Sequence, residues 1–84
     1  MVRKIVKHGV LCVYDKDDWL HNPNGPAALW PSGRREYYKH GRRHREDGPA
    51  VIESSGTEHY YLDGRLVDEA ALDVYKLKNW LKAG

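Results

Sequence analysis

The sequence predicts a mainly β protein in which successive antiparallel hairpins form one curved sheet, with a C-terminal amphipathic helix as its cap. Three observations lead to this prediction. Turn-forming and aromatic residues recur at an offset of 23 residues, short β-favouring runs lie between the turns, and the apolar spacing changes to three and four residues near the C-terminus. With 84 residues, the chain is expected to form one domain whose core is only just large enough.

The 23-residue offset aligns two stretches of the chain with each other. The shared positions are Asn24-Gly25-Pro26-Ala27 with Asp47-Gly48-Pro49-Ala50, His21 with His44, Gly33 with Gly56, Tyr37-Tyr38 with Tyr60-Tyr61, and Gly41 with Gly64. A period of this length is typical of stacked supersecondary units. We therefore assign residues 1–20 to a degenerate opening hairpin, 21–43 to a first repeat and 44–66 to a second.

Each repeat consists of a short β-favouring run, a glycine turn and a second run rich in β-branched and aromatic residues. A residue-Gly pair then ends the repeat, and Asp-Gly is among the strongest hairpin signals because both central positions of that turn need a positive φ. The predicted turns are, in chain order, His8-Gly9, residues 15–18, Pro31-Ser32-Gly33, His40-Gly41, Ser54-Ser55-Gly56 and Asp63-Gly64.

Residues 68–82 have the spacing of an amphipathic helix, with apolar residues at Val74, Leu77 and Leu81. Asp68 is the predicted N-cap. Carboxylates lie near the start of this segment and lysines near its end, which suits the helix dipole. We expect the apolar face of this helix to cover the last edge of the sheet.

Composition limits the setting in which the chain works. A lone Cys12, in an apolar run, excludes an internal disulfide and is expected to be a buried thiol. No stretch approaches the roughly 20 apolar residues of a membrane span. We therefore expect a soluble cytoplasmic protein with no membrane partner.

Five histidines are the main candidates for chemistry. His21 and His44 occupy equivalent positions, so they would lie one above the other, and a metal would need a third ligand such as Glu46 or Asp47. The favoured alternative is that each ring bonds a neighbouring backbone group. His40 and His59 have no partner at ligand spacing and are expected at the surface or an edge. Because no catalytic motif is present, we expect no enzymatic activity, no cofactor and no metal site.

A run of basic residues gives the strongest binding signal. It comprises Arg34, Arg35, Lys39, Arg42, Arg43 and Arg45, the candidate partner-binding residues. They accompany one carboxylate, Glu36, whereas the whole chain has a formal net charge of only +2. Three interpretations remain open: solvated charge with internal carboxylate partners, a protein-binding patch, or a nucleic-acid surface with Tyr37 and Tyr38 stacking on bases.

The repeat resembles a known family. His44-Arg45-Glu46-Asp47-Gly48-Pro49-Ala50, followed by Gly56, Tyr60-Tyr61 and Asp63-Gly64, looks like the MORN-type hairpin repeats of small bacteriophage and viral proteins, and the resemblance covers about residues 9–66. It implies a scaffolding or protein-binding role.

The viral members of this group imply a more specific function. We expect a non-enzymatic protein-interaction module. Its specific form, as this resemblance implies, is a phage-type accessory protein that binds and inhibits a host or defence complex such as a CRISPR-Cas complex. The alternative is a nucleic-acid-binding protein that uses the same basic run. An edge strand within residues 5–14 also offers a route to a homodimer.

Overall fold

A computed structural model describes residues 2–83 of the chain. Within that range it contains nine short β-strands followed by one α-helix. The strands are β1 (Arg3–Lys7), β2 (Val10–Tyr14), β3 (Ala28–Leu29), β4 (Arg35–Glu36), β5 (Tyr38–Lys39), β6 (Arg42–Arg43), β7 (Val51–Ile52), β8 (Glu58–Leu62) and β9 (Arg65–Val67). The helix is α1 (Glu69–Ala83).

Seven strands form an antiparallel sheet in the order β1-β2-β3-β4-β7-β8-β9, and this sheet does not close into a barrel. The predicted fold class is therefore confirmed. One detail differs, because β5 and β6 form a separate two-stranded hairpin. The chain leaves the main sheet at Tyr37, whose N–H donates to Ala50 O at 2.7 Å while its carbonyl accepts from His44 N–H at 3.1 Å.

The sequence repeat is also a repeat of hydrogen bonds. Equivalent bonds are Ala27 N–H to Glu36 O and Ala50 N–H to His59 O at 2.9 Å each, and Gly41 N–H to Leu20 O and Gly64 N–H to Arg43 O at 2.8 Å each. Adding 23 to both residue numbers of the first bond in each pair gives the second bond. The residues shared between the repeats therefore serve the backbone of the hairpins.

Three tight turns have the positive φ angles that residue-Gly hairpins require. The angles are 54° and 78° at His8-Gly9, 48° and 83° at His40-Gly41, and 50° and 84° at Asp63-Gly64. Two successive positive values match the turn type whose twist suits paired strands. All three predicted residue-Gly turns are confirmed.

The buried core is small and consists mainly of small aliphatic side chains. Its apolar members are Val13, Ala27, Ala28, Ala50, Val51 and Leu72. The tyrosines of the repeats are half-buried, so their rings border this core. The hydroxyls of three of them form hydrogen bonds: Tyr38, Tyr60 and Tyr61. Cys12 is half-buried rather than buried as expected, because its neighbour across the sheet, Ile5, lies on the exposed edge strand β1.

Helix α1 begins as predicted but presents a different face to the sheet. Ala71 N–H donates to the Asp68 carboxylate at 2.8 Å, which confirms the N-cap. Leu72, with 2% of its surface exposed, and half-buried Tyr75 face the sheet. The predicted apolar face is exposed, since Val74 lies two residues, or about 200° of helical rotation, from Leu72. Within residues 2–83 there is no helix whose length and apolarity suit a membrane span.

Candidate docking surface

Glu36 organises one part of the basic run. This carboxylate is 4% exposed. Arg34 Nη2 donates to it at 2.8 Å and Arg43 Nε at 3.3 Å. Tyr38 Oη donates at 2.7 Å. Strand alternation places residues 34, 36 and 38 on one face, and these contacts show that shared face directly. Two of the six candidate basic residues are thus engaged by a buried carboxylate.

The ionisation of this cluster follows from its contacts. Burial acts to raise the pKa of Glu36, but the Tyr38 hydroxyl and the two guanidinium groups outweigh it, so the pKa lies below its usual value. Burial likewise opposes the charge of Arg43, yet the neighbouring Tyr38 hydroxyl and the Glu36 carboxylate raise its pKa. Charged Glu36 and charged Arg43 therefore stabilise each other within the fold.

Arg45 is also occupied inside the molecule. Its guanidinium lies 4.0 Å from the centre of the Tyr37 ring. It donates to Pro49 O at 3.1 Å and to the Asp47 carboxylate at 3.3 Å. This stacking covers one face of Tyr37, while the hydroxyl of Tyr38 is bound to Glu36. Arg45 and both tyrosines therefore have structural contacts.

Arg35, Lys39 and Arg42 form no ion pair with any residue in the range 2–83. Arg35 is half-buried on β4, between Leu29 and Ile52 of the neighbouring strands. Lys39 and Arg42 are exposed and directly opposite each other on β5 and β6. Like charges opposite each other across two strands are destabilising. This hairpin thus carries two opposed positive charges that take part in no ion pair of the described residues.

Trp19 lies against the turn that joins Lys39 to Arg42. Its side chain packs on Gly41, where an added Cβ would be only 2.3 Å from a ring carbon. Trp19 nevertheless keeps 56% of its surface exposed. We define Trp19, Lys39 and Arg42 as the hairpin surface. Sequence reasoning missed Trp19, because the residue at the equivalent position against Gly64 is Arg42, so the 23-residue comparison shows no shared residue type there.

A hydrogen-bonded cluster fixes the Trp19 loop to the β5–β6 hairpin. Buried Asp15 accepts Trp19 N–H at 3.0 Å through Oδ1 and contacts His40 Nδ1 at 2.7 Å through Oδ2. The His40 ring stacks on His21, with centroids 4.2 Å apart. His40 is exposed as expected, but the expectation that it has no partner is wrong. His59 has one too, since its Nε2 lies 2.7 Å from Glu53 Oε2.

Within residues 2–83, one group of side chains has the spacing of possible metal ligands. It comprises Asp15, His21 and His40, whose ligating atoms lie within 4.8 Å of one another. Their contacts favour a structural role. His21 Nδ1 accepts His40 N–H at 3.1 Å. The rings are within 15° of parallel, so their in-plane lone pairs do not converge on one ion in this arrangement.

The electrostatics of this cluster agree with that role. Burial lowers the pKa of His21, and the charge of nearby His40 acts in the same direction. Burial acts to raise the pKa of Asp15, but the bonds from His40 and from the amides of Trp19 and Asp17 lower it overall. An ionised Asp15 therefore holds both the loop and the hairpin.

The two repeat-related histidines have the backbone role that the sequence favoured. His44 Nδ1 accepts Asp63 N–H at 2.9 Å, as His21 Nδ1 accepts His40 N–H. These acceptor roles assign the proton to Nε2 in each neutral ring. In His44, Nε2 lies 2.9 Å from Glu46 Oε2. The prediction of a ring bonded to backbone is confirmed at both positions.

An open groove of about 610 Å³ lies beside the hairpin surface. Its lining includes Lys39, Arg45, Glu46 and Asp47, together with Tyr37 and the turn at residues 22–25. No protein-family model, curated protein or solved structure matches the chain. The resemblance to MORN-type repeats therefore stays a prediction, and functional argument rests on this geometry.

Proposed function

We propose that this protein is a non-enzymatic interaction module that binds an acidic segment of a partner protein through the hairpin surface. The observation that carries this proposal is the opposed pair Lys39 and Arg42, neither of which forms an ion pair with a carboxylate among residues 2–83. An acidic partner would relieve their repulsion.

The chemistry of the hairpin surface supports a protein partner. Trp and Arg are enriched among the residues that dominate protein–protein binding energy. Trp19 offers a large exposed ring, and Gly41 beneath it fixes the position of that ring. The adjoining groove is lined by Lys39 and Arg45 but also by Glu46 and Asp47. The basic contact for an acidic segment is therefore the Lys39–Arg42 pair rather than the floor of the groove. The resemblance to viral hairpin-repeat proteins suggests a host or defence complex as the source of the partner.

Nucleic-acid binding is the alternative, and the arrangement of the tyrosines weighs against it. Recognition of single strands uses aromatic rings that are free to stack on bases. Arg45 covers a face of Tyr37, and the hydroxyl of Tyr38 binds Glu36. Arg34, Arg43 and Arg45 also have internal carboxylate partners, which reduces the positive charge available to phosphates.

A double charge reversal tests the proposal. The Lys39→Glu/Arg42→Glu variant changes the hairpin surface and leaves Arg43 and Arg45 in their structural contacts. Lys4→Glu/Lys7→Glu on exposed β1 makes the same change in net charge elsewhere. We expect the first variant to lose a partner that the wild type and the β1 variant both recover from a host lysate, with unchanged circular dichroism. Equal recovery of the partner by all three proteins would refute the proposal that the hairpin surface binds it.

The same variants separate a protein partner from nucleic acid. If nucleic acid were the ligand, wild-type protein would bind short DNA or RNA at low salt, and its affinity would fall steeply as salt increases. We expect no such binding by fluorescence anisotropy. Binding that is strong at low salt and is lost in Lys39→Glu/Arg42→Glu would favour the nucleic-acid alternative.

A further inference from the structure

Helix α1 has two apolar faces with different surroundings. Leu72 and Tyr75 face the sheet. On the other side, Ala70, Val74, Leu77 and Leu81 form an exposed line that we call the outer stripe. Leu77 is 56% exposed and Leu81 63%. No residue within 2–83 covers this stripe.

The spacing of the outer stripe matches the seam of a two-helix coiled coil. Its members are separated by four, three and four residues, which is the alternation of the two apolar positions in a heptad. Trp80, also exposed, lies beside the stripe. A continuous apolar surface of this kind typically marks an interaction site.

The charges of α1 indicate what covers the stripe. Asp73 flanks one side of the outer stripe, and Lys78, five residues further along, flanks the other. In a parallel pair of these helices, Asp73 of each helix lies beside Lys78 of the other, which is the interhelical charge pair of a heptad seam. Val74 and Leu77 also occupy the two seam positions where β-branched residues and leucine favour parallel dimers. We propose that a second copy of this chain binds the outer stripe, giving a parallel, two-fold dimer.

Other occupants fit the helix less well. The sheet edge β1 carries Arg3, Lys4 and Lys7, and charged residues on an edge strand oppose pairing with an identical strand. A lipid surface favours a helix whose polar side is uniformly basic. Here Glu69 and Asp73 place negative charge on the first half of α1.

A seam of four residues on each helix is short for a stable dimer, which commonly buries about 800 Å² per partner. The dimer is therefore weak, and concentrations from about 1 μM to about 1 mM are required to observe it. Sedimentation equilibrium over this range gives the association constant of the full chain.

Leu77→Glu introduces a charge at the centre of the stripe. We expect it to lower the association constant by at least about tenfold. Leu66→Glu is the matched control, because Leu66 is 65% exposed but lies on β9 outside the stripe. It should associate like the wild type, and both variants should keep the wild-type helix content by circular dichroism. A monomeric wild type throughout, or equal association of all three proteins, would overturn the proposal.

The charge pattern supplies a second, independent test. Asp73→Lys places a positive charge beside Lys78 of the other helix and is expected to weaken self-association. Adding Lys78→Asp restores opposite charges and should restore association. Non-specific hydrophobic association would not show this rescue. Failure of this rescue would exclude the parallel arrangement. Binding of the wild type to anionic phosphatidylserine vesicles without self-association would instead assign the stripe to lipid.

Discussion

At the scale of single residues, the partner of a side chain decides whether it serves the fold or is free to bind. Arg43 and Arg42 are adjacent in the sequence, yet Arg43 binds buried Glu36 while Arg42 has no ion pair within the described range. Alternation along a strand sends neighbouring side chains to opposite faces, so adjacent arginines meet different environments. The number of basic residues in the run is therefore larger than the number of charges that are free to bind a partner.

His44 provides a test of the repeated backbone role. His44→Ala removes the acceptor of Asp63 N–H and the contact with Glu46, and we expect it to lower the free energy of unfolding by about 2 kcal/mol. His44→Asn keeps an oxygen near the position of Nδ1 and should retain part of that stability. Urea denaturation measures both variants, and equal losses would contradict the proposed acceptor role.

Glu36 provides a test of the internal cluster. Glu36→Gln weakens the charge-assisted bonds from Arg34, Arg43 and Tyr38, and we expect a loss of about 2 kcal/mol at pH 7. Since the folded state lowers the pKa of Glu36, its stabilisation is present above its ordinary pKa of 4.5 and is lost as pH falls below that value. The gap between wild type and variant should therefore narrow at pH 3, and a constant gap would contradict this account.

At the scale of elements, the turns and the helix were largely predictable because their signals are local. Two adjacent positive φ angles at His40-Gly41 and Asp63-Gly64 require particular residue types, and Asp68 caps the helix that follows it. The orientation of α1 was not predictable from its spacing. Leu72 and Val74 are both apolar, and the burial of Leu72 together with the contacts of Tyr75 with Glu46 and His44 shows which face meets the sheet.

The two equivalent turns allow a matched comparison. Gly41 and Gly64 have almost the same φ, 83° and 84°, so alanine at either site introduces similar backbone strain of about 1 kcal/mol. Only at Gly41 does the new Cβ meet Trp19, at 2.3 Å, whereas at Gly64 its nearest neighbour is 3.9 Å away. Gly41→Ala should be the less stable variant and should shift tryptophan emission. Identical unfolding midpoints and spectra would show that Trp19 does not pack on this turn.

At the scale of the whole molecule, carboxylates link segments that the small apolar core does not hold together. Asp15 contacts His40, Glu46 contacts Tyr75, and Glu53 contacts Arg34. The sequence does not predict these pairs, because they depend on how the hairpins and the helix come together. The period predicts the number of hairpins but not these contacts.

The ionisation of these carboxylates predicts acid sensitivity of the fold. The bond with His44 lowers the pKa of Glu46, and the bond with His59 lowers that of Glu53. Each carboxylate therefore stabilises the fold above its ordinary pKa of 4.5 and loses this effect as pH falls below it. We expect the melting temperature to decrease between pH 5 and pH 3 in calorimetry. A melting temperature that is constant over this interval would contradict the role of these pairs.

The most direct test of the docking surface is a two-dimensional nitrogen–proton NMR spectrum of the labelled protein with and without its captured partner. The chain has three tryptophans, whose indole signals report on the hairpin surface through Trp19 and on α1 through Trp80. We predict that the Trp19 indole and the amides of Lys39 and Arg42 shift or broaden, while Trp80 does not. Changes confined to α1 or β1, with the hairpin surface unaffected, would contradict the proposed function.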